Sequence, residues 1–245
     1  MKHDPILDRQ SAAGPLLRAD IRFEAEVTRV EEGAMMRLFT IRAIAIDPHG
    51  RRAEVGRLHA WQGLYRGLGP QLIDPDCPLE VACAEFDEIS YDAGMAVEAF
   101  LDGRAALEPR LAGEIAQEQP SGIVYIEQVF THPGARGARL ALRLLAELRA
   151  LLAGSASLVL LKAIPIETPY DGPGDDFRRG ALASDAAGRE ALVRYYRSDA
   201  ELDLRPPHGT AKPNLLAAVW PAFAEAPLFD LALGLPSSLW ARMED

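Results

Sequence analysis

An apolar strand pattern that runs into proline, then a glycine- and arginine-bearing turn, then a leucine-rich helix constrains this chain more than any other feature. Ile123 to Phe130 is apolar except at Glu127 and Gln128, and Pro133 stops the run. The pattern predicts a strand at about 122–131 and a helix at about 137–152. In that helix Leu140, Leu144, Leu148 and Leu151 share one face, while Arg139 and Arg143 lie together on another. A strand feeding directly into a helix leaves the first helical N–H groups unpaired at the turn. With Arg136, Arg139 and Arg143 beside them, those donors suit a pyrophosphate.

Upstream, Ile21 to Thr28 alternates apolar and polar residues, the period of a half-buried strand. Arg37 to Ile46 reads as a second strand, Asp47 to Gly50 as a turn, and Ala53 to Trp61 as a third strand, together an antiparallel meander. Residues 1–20 read as a loosely held tail. Asp74 to Pro78 stops the sheet pattern and opens one helical region to about residue 115, with Val81, Phe86, Ile89, Ala93, Val97 and Leu101 at helical spacing. Glu80, Glu85, Asp87, Glu88, Asp92 and Glu98 make its surface acidic, either a solvated face or a field that steers a cation. Downstream, Ser157 to Ile164 is a short apolar strand, 165–176 a long irregular loop over an acceptor pocket, and Gly188 to Ser198 a helix. From Pro213 onward, Trp220, Phe223, Phe229 and Trp240 are too many aromatics for a disordered end.

Composition narrows the function classes. A net charge of −10 argues against a nucleic-acid partner, which needs clustered Lys and Arg, and favours a cationic or neutral one such as an amine. Cys77 and Cys83 match no zinc spacing and make no disulfide framework, so both read as buried thiols of a cytoplasmic protein. No signal-peptide pattern and no membrane-spanning apolar run is found. Hydrolase, P-loop and metalloprotease motifs are also missing, and His3, His49, His59, His132 and His208 are scattered.

The turn and its flanks resemble the acyl-CoA-binding core of the GNAT superfamily of N-acetyltransferases, over residues 122–198. The family turn reads Gln/Arg-x-x-Gly-x-Gly/Ala, and the window here is Arg136, Gly137, Ala138, Arg139, Leu140, Ala141. Its first and last positions match, and Arg139 stands where the family has glycine. The resemblance implies that these six residues hold the pyrophosphate of acetyl-CoA and that the backbone of Val129, Phe130 and Thr131 aligns the pantetheine and thioester. It implies a tyrosine that protonates the departing thiolate, matched here by Tyr196 with Tyr195 as the alternative. Asp199 to Glu201 replaces the Leu-Gly-Phe that usually follows. A base must free the amine, and Glu127, a carboxylate in an apolar strand, or His132 could serve. The family places its helical pair after the first strand. Three strands precede the helical region here, so either the strand assignments are wrong or a helical segment is inserted before the core.

The expected fold is α/β, a mixed, mostly antiparallel sheet flanked by helices. It comprises a tail (1–20), an acyltransferase domain (21–204) and a C-terminal extension (205–245) docked on the domain or on a homodimer partner. The expected reaction moves an acetyl group from acetyl-CoA to a primary amine, with no nucleic acid and no membrane involved. The rival expectation is a degraded CoA-binding or protein-interaction module, and a third is another α/β fold that binds a different phosphate ligand.

Overall fold

The computed structural model describes residues 16–29, 36–64, 79–101, 109–132, 135–164, 166–167, 181–182, 186–207, 214–222 and 231–236. Nine strands and five helices occur among them. β1 (Leu16–Arg29), β2 (Met36–Ile46) and β3 (Arg52–Leu64) form an antiparallel meander. Three helices follow, α1 (Leu79–Ile89), α2 (Tyr91–Leu101) and α3 (Pro109–Glu118). Then come β4 (Gly122–Thr131), α4 (Leu140–Leu151), β5 (Ser157–Lys162), the short pair β6 (Ile166–Glu167) and β7 (Ala181–Leu182), α5 (Ala186–Arg197), β8 (Leu215–Trp220) and β9 (Leu231–Pro236). Seven strands make one sheet in the order β8-β5-β4-β3-β2-β1-β9, and β4 with β5 is its one parallel pair. The expected mixed, mostly antiparallel sheet flanked by helices is present.

Two cores lie on opposite faces of that sheet. On one face α4 buries Leu140, Leu144, Leu145 and Leu148 against Ile41, Val55, Leu58 and Ile126, and Tyr196 of α5 joins them. On the other, Phe86, Ala93, Val97 and Ile115 of α1, α2 and α3 cover Ile123, Tyr125, Leu158, Leu160 and Ala217. Gly56 lets α4 approach closely: a Cβ there would stand 3.1 Å from Leu140 Cδ2 and 3.2 Å from Leu144 Cδ1.

Several elements differ from the sequence expectation. The helical region is three helices, and α1 stops at Ser90, whose N–H still reaches the Phe86 carbonyl while its own carbonyl starts α2 by accepting from Ala93 and Gly94. Residues 16–20, assigned to the tail, begin β1, because β9 supplies hydrogen-bonding partners from Leu16 to Ile21. The extension beyond residue 204 is not an appendage. Arg205 bridges to Ala217, β8 pairs along β5, and β9 closes the far edge. α4 starts at Leu140 rather than 137, since Gly137 and Arg139 hold positive φ angles of 92° and 56° that a helix cannot contain. Leu151, expected on the buried face, is 46% exposed, and Leu145 is buried instead. The loop 168–176, Cys77, Phe223, Phe229 and Trp240 lie outside the described residues, as does the side chain of Cys83.

Candidate functional site

The parallel pair separates partway along. β4 and β5 pair from Gly122 with Ser157 to Ile126 with Leu161 and no further, although β4 continues to Thr131. β5 instead follows β8, with Lys162 opposite Leu215 and the Ala163 N–H donating to the Asn214 carbonyl at 2.8 Å. At the point of parting β4 carries a bulge. His59 pairs with Gln128 and Ala60 with Ile126, so Glu127 is the extra residue with no opposite number on β3.

Backbone direction past the bulge follows from one bond. The His132 N–H donates to the Val55 carbonyl on β3 at 2.9 Å. Counting back two residues at a time, Phe130 and Gln128 also face β3. Val129 and Thr131 therefore aim their N–H and C=O groups away from it, toward the side that β5 has left. The Val129 side chain packs on the α4-side core, and the side chains of Phe130, Thr131 and His132 are half-buried.

Beyond β4 the chain turns into α4. The Ala135 N–H closes on the His132 carbonyl at 2.8 Å, Arg136 and Gly137 are exposed, and Arg139 caps α4 without a side-chain hydrogen bond to the helix. Its guanidinium instead meets Asp199 Oδ2 at 3.3 Å. Asp199 is itself anchored, because its Oδ1 accepts from the Glu201 N–H at 3.1 Å and the Leu202 N–H at 3.4 Å. Between α4 and this segment runs a cleft of about 990 Å³, walled by Ala138, Arg139 and Arg143 on one side and Asp199 and Glu201 on the other. Tyr195 lies against the same turn. Burial raises its phenol above the ordinary tyrosine range and Asp199 adds to this, while a hydrogen bond to the Leu142 backbone and the Arg139 charge oppose it.

Tyr196 is 6% exposed within the α4-side core, and burial pushes its phenol up, with Tyr195 adding to the effect. Glu127 belongs to the opposite face. Its exposed carboxylate accepts a hydrogen bond from Trp61 Nε1 at 3.0 Å, and Trp61 packs on the α2-side core opposite Tyr125. The structure thus gathers Arg136 to Ala141 and Tyr195 at the start of α4, with Tyr196 packed behind them. It sets Glu127 across the sheet, and the stretch of β4 that β5 leaves unpaired, among the described residues, lies between the two groups.

Four residues were not assigned to this site from the sequence, Tyr125 and Trp61 beside Glu127 and the Asp92–Lys162 pair beyond Tyr125. Tyr125 is 3% exposed, and its phenol is raised first by burial and then by the charges of Asp92 and Glu127. Asp92, in the first turn of α2, pairs with Lys162 at the end of β5. Trp61 is the fourth. Period two along β4 would have placed Tyr125 on the face of Glu127, but Trp61, Asp92 and Lys162 arrive through pairing and packing alone. The acidic run of α1 is mostly solvated, with Asp87 and Glu88 exposed. No group of three metal-ligating side chains occurs among the described residues, and none of their helices is long and apolar enough to cross a membrane.

No family model, no curated protein and no solved structure matches this chain.

Proposed function

We propose that this protein is an acyl-CoA-dependent N-acyltransferase that resembles the GNAT superfamily and moves an acetyl group from acetyl-CoA to a primary amine. The observation that carries the reading is the parting of β4 from β5 beyond Ile126, at a bulge, on a strand that leads through a left-handed turn into α4. An extended pantetheine arm fits such a gap by hydrogen bonding to the backbone of Val129 and Thr131, flanking Phe130. The exposed Arg136, with Gly137, Ala138, Arg139, Leu140 and Ala141, sits where a pyrophosphate meets the helix N-terminus. The amine nitrogen attacks the thioester carbonyl, the C–S bond breaks, and the products are an amide and CoA. Glu127 takes the amine proton, with His132 as the alternative. Tyr196 or Tyr195 returns a proton to sulfur, and both phenols hold their protons at neutral pH. Proximity supplies much of the acceleration.

The burial of Tyr196 and the engagement of Arg139 by Asp199 favour a second reading, a CoA-binding module without turnover. Calorimetry with acetyl-CoA tests the shared element. Binding that Arg136→Glu weakens by about 1.5 kcal/mol or more, the scale of a charged hydrogen bond, supports a pyrophosphate site. CoA release in the presence of amines then separates enzyme from module. If the wild-type chain ignores acetyl-CoA, both readings fall.

A further inference from the structure

We propose that the outer edge of β8 at Val219 is a strand-addition site, which takes an extended peptide carrying a lysine or arginine opposite Val219. β5 stands between this edge and the part of β4 invoked above, so the site does not rest on the acyl-transfer reading.

Backbone pairing points to a ligand. The Arg205 N–H donates to the Ala217 carbonyl at 2.9 Å, and the Ala217 N–H donates to the Arg205 carbonyl at 2.7 Å. Ala217 therefore turns both groups away from β5, and so, two residues on, does Val219. Antiparallel register would bring Asp203 opposite Val219 for the next such pair. Asp203 instead has a left-handed φ of 49°, and the bridge at Arg205 does not extend to it. The chain crosses onto the α4 face, where the Leu202 carbonyl accepts the Trp220 indole N–H at 2.9 Å. Among the described residues the Val219 N–H and C=O are thus left without a backbone partner. Yet Val219 is only 8% exposed and lines the cleft of about 990 Å³. A shielded amide and carbonyl without partners are costly, and one added strand supplies both bonds.

The two walls of the cleft set the side chains. Val219 packs on the α3 side with Ile115, and Trp220 packs on the α4 side. Side chains alternate across a sheet, so the peptide residue opposite Val219 points to the α3 side and its neighbours to the α4 side. Glu114 and Glu118 of α3 line the cleft. Glu114 shares Arg205 with Asp203, whereas no ion pair meets Glu118 among the described residues. A basic side chain at the central position completes Glu118. On the α4 side, Leu142 and Ala146 line the cleft and suit small apolar neighbours, while Arg149 is turned to the Glu201 carbonyl. A cleft of this volume stands at the upper end of the range for small-ligand sites, room enough for a few residues.

Calorimetry on the full chain tests this with three capped peptides: acetyl-Ala-Val-Lys-Val-Ala-amide, the same peptide with glutamate at its centre, and the same peptide N-methylated at the lysine nitrogen. The lysine peptide should bind, and the other two should bind at least about tenfold more weakly, the scale of one charged hydrogen bond. Glu118→Gln should weaken the lysine peptide by a similar factor, with circular dichroism as the check on folding. Hydrogen exchange supplies the location: the Val219 N–H should become protected when the lysine peptide binds. Failure of the lysine peptide to bind wild type overturns the site. So does equal binding of the N-methylated or glutamate peptide, an unchanged affinity in the Glu118→Gln variant, or binding that leaves exchange at Val219 unaltered.

Discussion

Raising the pH should destabilise this protein through two phenols. Burial holds Tyr125 and Tyr196 well above the ordinary tyrosine range, with Asp92 and Glu127 adding at Tyr125 and Tyr195 at Tyr196. In the unfolded chain both ionise near pH ~10. A phenol whose folded value lies above its unfolded one leaves stability intact below that pH and reduces it as the pH climbs past. At pH 11 the unfolded state gains RT ln(1 + 10), about 1.4 kcal/mol per tyrosine and about 2.8 kcal/mol for the two. Urea unfolding at about pH 8.5 and pH 11 measures this, with wild type beside Tyr125→Phe, Tyr196→Phe and the double variant. The double variant should lose about 2.8 kcal/mol less than wild type between the two conditions, and each single variant about half of that. Titrating lysines are common to all four proteins and cancel. Equal losses in wild type and double variant would refute the burial argument for these two phenols.

Other expectations follow from close contacts and buried bonds. Gly56→Ala drives a methyl group to 3.1 Å from Leu140 and 3.2 Å from the Phe130 carbonyl, so it should destabilise by ~1–3 kcal/mol in urea titration. No change would mean that α4 packs less closely. Trp220→Phe removes the indole N–H that donates to the Leu202 carbonyl at 2.9 Å inside the sheet edge, for ~1–3 kcal/mol. A phenylalanine variant as stable as wild type would dismiss that bond. Asp47 ties the β2–β3 turn. Burial raises its carboxyl, but the Arg51 side chain and the N–H groups of Arg51 and His49 outweigh this and hold it below the ordinary range. Its contribution is then present above the unfolded carboxyl range and lost as pH falls through the lower folded value. Thermal melts should show Asp47→Asn less stable than wild type near neutrality, with the gap closing in strong acid.

The contrast between what was legible in the sequence and what was not follows the range of each interaction. The meander, the strand ending at Thr131, the α4 face of Leu140, Leu144 and Leu148, and the turn at Arg136 all show as periods and punctuation within a dozen residues. Those signals are local, and the local backbone obeys them. β8 was hidden because Leu215 to Trp220 is buried on both faces, so no alternation marks it as a strand. β9 was hidden because its partner, β1, lies more than 200 residues earlier.

The candidate site divides the same way. Glu127 stood out as a carboxylate in an apolar run. That it is the bulged residue depends on β3 presenting one residue fewer between His59 and Ala60, and that β5 does not pair with it depends on β5 turning toward β8. Trp61 reaches it from β3 and Tyr125 lies near it on β4, while Asp92 of α2, paired with Lys162 of β5, lies near Tyr125. By itself the sequence determined the periods, the turn and the chemistry of each side chain. Tertiary structure alone decided which of them became neighbours, because strand register and helix packing are settled by pairing and burial summed over the whole sheet.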